Sequence, residues 1–284
     1  MTRLNGFIRA LESGQAAFGA FAPADIESAL WASSSGYDGV IYEMEHRPWD
    51  PETLRDTLQY MLNRKQILAA QSPAPGVTPL VRIPANGGEM NQWLAKQALD
   101  VGVYGVVWPH VSTVEQAYNA VAACRYPRRQ SAPLYEPAGV RGDGPTTAAR
   151  YWGLDSKEYY RKADVWPLAP DGEILVVLMI EDLQGLANLD EMLTKVPGIG
   201  AVLIGEGDLS QELGHPREYD QPEVLEAMSD IVRICKARSV PVGHPHVGSK
   251  NVERVLGEGY RILLAAPVRS FAALETGKKL AGRA

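Results

Sequence analysis

The groups able to do chemistry in this chain gather where short apolar runs end. Residues 39–42 lead into Glu43, Met44, Glu45 and His46. The run 79–83 contains Arg82, and the run 174–180 is followed by Glu181 and Asp182. After 201–205 come Glu206, Gly207, Asp208, Leu209 and Ser210, and after 240–243 come His244 and His246. If these runs are neighbouring parallel strands, about 4.8 Å apart, Glu181 and Asp208 can converge on one point. Two bare carboxylates there would repel until one took up a proton, and a divalent cation resolves that conflict. The other reading gives each acid its own salt bridge or helix cap. The glycine-containing turn at Gly207 and Asp208 lets backbone amides approach a carboxylate closely, although Asp208 or Ser210 can equally cap a helical turn. A guanidinium at Arg82 suits a carboxylate or a developing enolate, and also suits an ion pair with a nearby acid. Glu43, three residues before His46, is placed to fix the imidazole tautomer and raise its basicity. His244 and His246 are of metal-ligand type, but no cysteine or third histidine stands beside them in sequence.

The elements that must position these groups follow from the pattern of the chain. Eight apolar runs, 16–21, 39–42, 79–83, 104–108, 174–180, 201–205, 240–243 and 261–265, read as strands buried on both faces. Helical patterns separate them at 24–34, 51–63, 89–100, 113–125, 189–195, 222–238 and 250–258, and Asp50-Pro51 is a good helix start. Such alternation predicts an α/β fold. At roughly 35 residues per unit it predicts a (β/α)8 TIM barrel, a single domain spanning 1–284. An open doubly wound sheet is disfavoured because no G-x-G-x-x-G follows the first strand. One interval breaks the rhythm: about 60 residues separate the fourth and fifth strands, with a helix-like piece at 156–163. The insertion, about 127–173, is expected to pass over the C-terminal ends of the strands, where barrel chemistry sits.

Composition narrows the function classes. With 28 Lys and Arg against 34 Asp and Glu, the net charge of −6 argues against a dedicated nucleic-acid or anionic-membrane surface. The longest apolar runs fall well short of the ~20 residues of a membrane helix. The two cysteines, Cys124 and Cys235, provide neither a disulfide framework nor a zinc cluster. Without a recognisable targeting segment at the start, the expected compartment is the cytoplasm.

In order along the chain, several segments are similar to the motifs of one family. Glu43-Met44-Glu45-His46-Arg47-Pro48 resembles the D/E-x-E-H-x-P signature of the HpcH/HpaI class II pyruvate aldolases. Pro79-Leu80-Val81-Arg82-Ile83-Pro84 resembles their VRxP segment, and Leu99-Asp100-Val101-Gly102 with Pro109-His110-Val111 resembles LDxGxxGxxxPxV. Arg125-Tyr126-Pro127, resumed at Gly139-Val140-Arg141-Gly142, is similar to RYPPxGxRG split by an insert. Ile204-Gly205-Glu206-Gly207-Asp208-Leu209-Ser210 resembles IGxxDLS.

The resemblance implies a phosphoenolpyruvate/pyruvate-domain-like barrel assembled as a homo-oligomer, a trimer or hexamer. It implies reversible cleavage of a 4-hydroxy-2-oxo acid to pyruvate, or a close 2-oxo acid, and an aldehyde through a metal-stabilised enolate. Glu181 and Asp208 match the metal carboxylates, with Mg2+ expected ahead of Mn2+, Co2+ or Zn2+, and no organic cofactor is implied. Arg82 matches the pyruvate-binding arginine, His46 the base and Glu43 its acidic partner. The amides of Gly207 and Asp208 match the carboxylate cradle. Phe21 stands where an aromatic, often Trp, belongs. Met179 replaces a frequent glutamine, and His110 stands where many members have Met. Oxaloacetate decarboxylation or other enolate chemistry of the macrophomate-synthase kind is the alternative reaction, and a barrel that binds a 2-oxo acid without turnover is the alternative class.

Overall fold

In the computed structural model, which describes residues 3–85, 90–265 and 272–283, the apolar runs form a closed parallel barrel. Its eight staves are β1 (Ala17–Pro23), β2 (Gly39–Glu43), β3 (Thr78–Arg82), β4 (Gly105–Trp108), β6 (Ile174–Ile180), β7 (Ala201–Ile204), β8 (Val242–Val247) and β9 (Ile262–Ala265). Neighbours pair in the order β4-β3-β2-β1-β9-β8-β7-β6, and β4 pairing with β6 closes the ring. A two-residue strand, β5 (Val165–Trp166), lies along the first residues of β6. All seven residues of β6 are buried, as the unbroken run ILVVLMI requires of a strand covered on both faces.

Helices wrap the staves where the sequence pattern places them. α3 (Pro51–Tyr60) starts at Asp50, whose carboxylate accepts the Glu52 and Thr53 N–H groups. α6 (Val114–Ala123) starts at a capping box between Thr113 and Gln116. α9 (Leu183–Lys195) begins six residues before the expected start at 189, because Asp182 caps it by accepting the Gly185 N–H. The seventh expected strand, 240–243, lies instead at Val242–Val247, so His244 and His246 belong to the strand itself. The expected start of the helix 89–100 falls outside the described residues, and α5 spans Gln92–Val101. No described helix is long and apolar enough to cross a membrane.

The barrel is a packed core. Ile41, Leu80, Val107, Leu175, Val177, Leu203, Ile262 and Leu264 fill the interior, and a first helix missing from the sequence reading, α1 (Gly6–Glu12), closes its floor with Phe7 and Ile8. Asn5 caps α1 and is itself fully buried, tied by its amide to the carbonyls of Tyr104 and Glu173. Two strand glycines make room for the plug: a Cβ on Gly39 would lie 2.0 Å from the Phe7 ring, and one on Gly19 2.8 Å from it.

The insertion is not where the sequence reading put it. Its helices α7 (Thr146–Trp152) and α8 (Ser156–Lys162) pack on α5 and on each other and are bonded to Gly102 and Glu173, just before β4 and β6. Trp152 stacks on Tyr104, just before β4, with ring centroids 4.1 Å apart, and its Nε1 donates to the carbonyl of Gly102. Arg141, which sequence placed over the strand C-termini, is buried with its guanidinium 4.4 Å from the Tyr126 ring and 3.0 Å from Asp100. Arg125 is likewise buried, bonded to Asp164 and to the carbonyls of Leu134, Tyr135 and Pro137. The aromatic content of the insert is explained by this packing: Tyr151, Trp152 and Tyr159 are all buried.

Candidate active site

Strand periodicity carries the interior directly into the site. Side chains two residues apart share a face, so Leu80 leads to Arg82, Ile41 to Glu43, and Val177 through Met179 to Glu181. Glu43, Arg82, Met179 and Glu181, with Phe21, His46 and Asp208, line one cavity of about 420 Å3 at the C-terminal ends of the strands. No residue of the insertion lines it.

Arg82 is the centre of one half. Its Nε donates to Glu43 Oε2 at 2.7 Å, and its Nη1 lies 2.9 Å from Glu45 Oε2. The guanidinium stands 5.0 Å from the centroid of the Phe21 ring and 3.8 Å from the Met179 sulfur. The ion pair considered from sequence therefore forms, while Arg82 still lines the cavity. Glu43 does not reach the His46 ring: its Oε1 accepts the backbone N–H groups of Glu45 at 2.8 Å and His46 at 3.1 Å. The tight turn after β2 folds this carboxylate back on the chain, and the acid beside the imidazole is Glu45, 3.6 Å from Nε2. The His46 side chain is 70% exposed, so it is free to meet a substrate.

The other half holds the acids. Oxygens of Glu181 and Asp208 and a nitrogen of His110 all lie within 4.8 Å of one another. Gly205 is what lets Glu181 sit there, because a Cβ at that position would lie 2.3 Å from the Glu181 Cβ. Glu181 is buried, and burial pushes its carboxyl up to about 7. His110, the residue the sequence reading left out of the site, has φ of 55° and donates its backbone N–H to Glu181. Its ring reaches toward Glu45 (3.4 Å) and Glu181 (3.7 Å), and a hydrogen bond with Glu45 above all raises it to about 9. Negative charge converges here strongly enough to hold an imidazolium. Two carboxylates and an imidazole that draw in positive charge fit a divalent cation.

The remaining strand-end groups serve other ends. Asp182 caps α9 and accepts the Ser112 hydroxyl. Glu206 is buried and contacts His246 Nδ1, with His244 Nε2 at 3.9 Å. The Nδ1 of His244 is taken by the His246 backbone N–H at 3.2 Å. Gly207 faces open space, where a Cβ would meet nothing within 4 Å, so its backbone is accessible to a ligand. It lies with Asp208 in the first turn of α10 (Glu206–Glu212).

A closed parallel barrel with an arginine, a histidine and convergent acids at the strand C-termini has the layout of a (β/α)8 enzyme. The model of the HpcH/HpaI aldolase/citrate lyase family matches residues 18–266, and the chain belongs to that family. It is 32% identical over 281 residues to a hydroxypyruvate/pyruvate aldolase of Pseudomonas aeruginosa, covering 99% of this chain and 92% of that protein. It is 33% identical to a 2-dehydro-3,6-dideoxy-6-sulfogluconate aldolase of Pseudomonas putida, covering 82% and 78%. Among solved structures, an HpcH/HpaI aldolase/citrate lyase family protein from Burkholderia cenocepacia superposes with a TM-score of 0.73 at 24% identity, covering 92% of this chain and 91% of that one. The resemblance read from the motifs and the barrel read from the strand pattern are both borne out.

Proposed function

We propose that this chain is a divalent-metal-dependent aldolase that reversibly cleaves a 4-hydroxy-2-oxo acid to pyruvate, or a close 2-oxo acid, and an aldehyde. The observation that carries this reading is the convergence of Glu181, Asp208 and Arg82 on one cavity. Glu181, Asp208 and His110 would hold the metal. When bound, it supplies positive charge to the 2-oxo acid and its enolate. The imidazole nitrogen widens the fit from Mg2+, which prefers all-oxygen sites, to Mn2+ and Co2+.

Arg82, held by Glu43 and Glu45, presents its guanidinium to the developing enolate charge. His46, with Glu45 beside it, takes the proton of the C4 hydroxyl. The C4 oxygen then forms the aldehyde carbonyl as the C3–C4 bond breaks, and the electron pair stays on the pyruvate fragment. Protonation at C3 completes pyruvate. The amides of Gly207 and Asp208, in the first turn of α10 with no side-chain cap, support binding of the substrate carboxylate.

Incubation with pyruvate in D2O tests the reading. Metal-loaded protein exchanges the methyl protons, and EDTA stops the exchange. No exchange with any of Mg2+, Mn2+ or Co2+ would remove the enolate from the proposal.

A further inference from the structure

The cleavage proposed above leaves one proton without a source. His46 takes a proton from the C4 hydroxyl, and the enolate that remains needs one at C3. Among the described residues that line the cavity with Arg82 and Asp208, one imidazole stands beside that of His46, and it belongs to His246. His46 follows β2 and His246 lies on β8, with β1 and β9 between those two strands. The carboxylates lining the cavity are already engaged: Glu43 with Arg82, Glu206 with His246, and Glu181 and Asp208 at the candidate metal site.

His246 is held as an acid-base group must be. The register pairs Leu203 of β7 with Gly243 of β8, and three residues further along each stretch Glu206 and His246 meet. Glu206, buried at the start of α10, contacts the ring at Nδ1. That contact keeps the proton of the neutral imidazole on Nδ1. Nε2 has no hydrogen-bond partner among the described residues, and the side chain is 54% exposed. The backbone of His246 is tied on both sides: its N–H donates to His244 Nδ1 at 3.2 Å, and its carbonyl accepts the Asn251 side-chain amide at 2.9 Å. The pairing of β8 with β9 is irregular between His244 and Val247, the kind of bulge that re-aims a side chain beside an active site. The Tyr219 ring lies at 19° to the imidazole with centroids 5.8 Å apart, which supports one ring orientation. A carboxylate on one ring nitrogen and a free second nitrogen facing a cavity is the arrangement of a general acid-base pair.

We propose that His246 delivers the proton to C3 of the enolate and, in the synthesis direction, removes it from the methyl group of pyruvate. In cleavage the protonated ring loses its Nε2 proton. The new C3–H bond forms with the electron pair of the enolate double bond, the keto group of pyruvate re-forms, and the ring is left neutral. His46 holds the proton from the C4 oxygen, and both rings return to their starting states by exchange with water. The inference rests on the aldolase reading above and adds a second catalytic residue to the same site, with Glu206 as the residue that positions it.

The test incubates the Mn2+-loaded enzyme with pyruvate in D2O and follows deuterium in the recovered pyruvate by mass spectrometry. His246→Ala is expected to lower the exchange rate by a factor on the order of 100 or more, the usual weight of a positioned acid-base group. Its Tm still rises with Mn2+, and added imidazole restores much of the lost exchange. Glu206→Gln, which can still accept from Nδ1, shows a smaller loss in kcat with KM for pyruvate unchanged. Exchange at the wild-type rate in His246→Ala overturns the inference, as does a loss that imidazole does not restore. A wild-type kcat in Glu206→Gln removes Glu206 from the positioning role. Absence of exchange in the wild-type enzyme defeats the aldolase reading itself, whereas wild-type exchange with an indifferent His246→Ala defeats only the role of His246.

Discussion

Glu43 and Arg82 are direct partners in the register of β2 and β3, and the same two residues join through their side chains at the top of the barrel, with Nε 2.7 Å from Oε2. Backbone pairing thus aims the arginine before any substrate arrives. Arg82→Ala is expected to lower kcat for aldol cleavage by a factor on the order of 100 to 1000, the typical effect of removing one group that stabilises developing charge. Glu43→Gln keeps the turn but frees the guanidinium, so a smaller loss in kcat is expected, with KM for pyruvate altered. Circular dichroism should leave both variants folded. Full activity in Arg82→Ala would exclude it from the site.

Metal removal should be visible without any substrate. A ligand that binds only the folded protein raises its stability, so EDTA-treated protein should melt lower and Mn2+ should restore the Tm. The double variant Glu181→Gln, Asp208→Asn should lose this response. Because Glu181 is pushed up to about 7 and His110 to about 9, the ion must displace both protons, and its affinity should weaken as pH falls from 9 to 5. Calorimetry in buffers of different ionisation heat counts the protons released.

The floor of the barrel makes a steric prediction. A Cβ on Gly39 would meet the Phe7 ring at 2.0 Å and the Thr78 carbonyl at 2.7 Å. Gly39→Ala should therefore destabilise the fold by about 1–3 kcal/mol, the usual cost of overpacking. Gly39→Ala combined with Phe7→Leu should recover part of the loss in denaturant melts.

Alkaline pH should weaken the fold. Burial pushes the Cys124 and Cys235 thiols up to about 12 and raises Tyr126, Tyr151 and Tyr260 as well. In the unfolded chain these groups ionise near 8.5 and 10. Each folded-state value lies above its unfolded one, so the stabilisation is complete below about pH 8.5 and is lost as pH rises beyond it. The Tm should fall progressively as pH rises above about 8.5 toward 12, and both thiols should stay unreactive to a disulfide reagent at pH 8 until the protein unfolds.

The strands and the acids at their ends were legible because a buried parallel strand leaves a continuous apolar run, and the first polar residue after it marks the end of the stave. Glu181 was found by that logic, while Arg82 was marked as a lone charge inside the run 79–83 and Asp208 by the glycine-containing turn after 201–205. His110 was not found: it follows Trp108 and Pro109 outside the run, and only its positive φ and its bond to Glu181 bring it to the metal candidates. The location of the insertion was hidden for a different reason. Arg141 and Gly142 look like a ligand loop in one dimension, but the buried pairing of Arg141 with Asp100 and the stacking of Trp152 on Tyr104 draw the segment to the opposite end. The choice of end is decided by contacts some 40 residues or more apart in the chain, which local patterns do not record. α1 was missed because seven residues give too short a period, and its burial is decided by the barrel floor it fills.

The near-contact of Gly205 with Glu181 divides the pocket into a part that tolerates change and a part that does not. Any residue with a side chain at 205 would push the carboxylate off its mark, so the seam between β6 and β7 is closed to variation. The outer rim at Arg217 and Tyr219 carries no such constraint from Glu181. New substrates are therefore to be engineered from the rim inward, with the seam left alone.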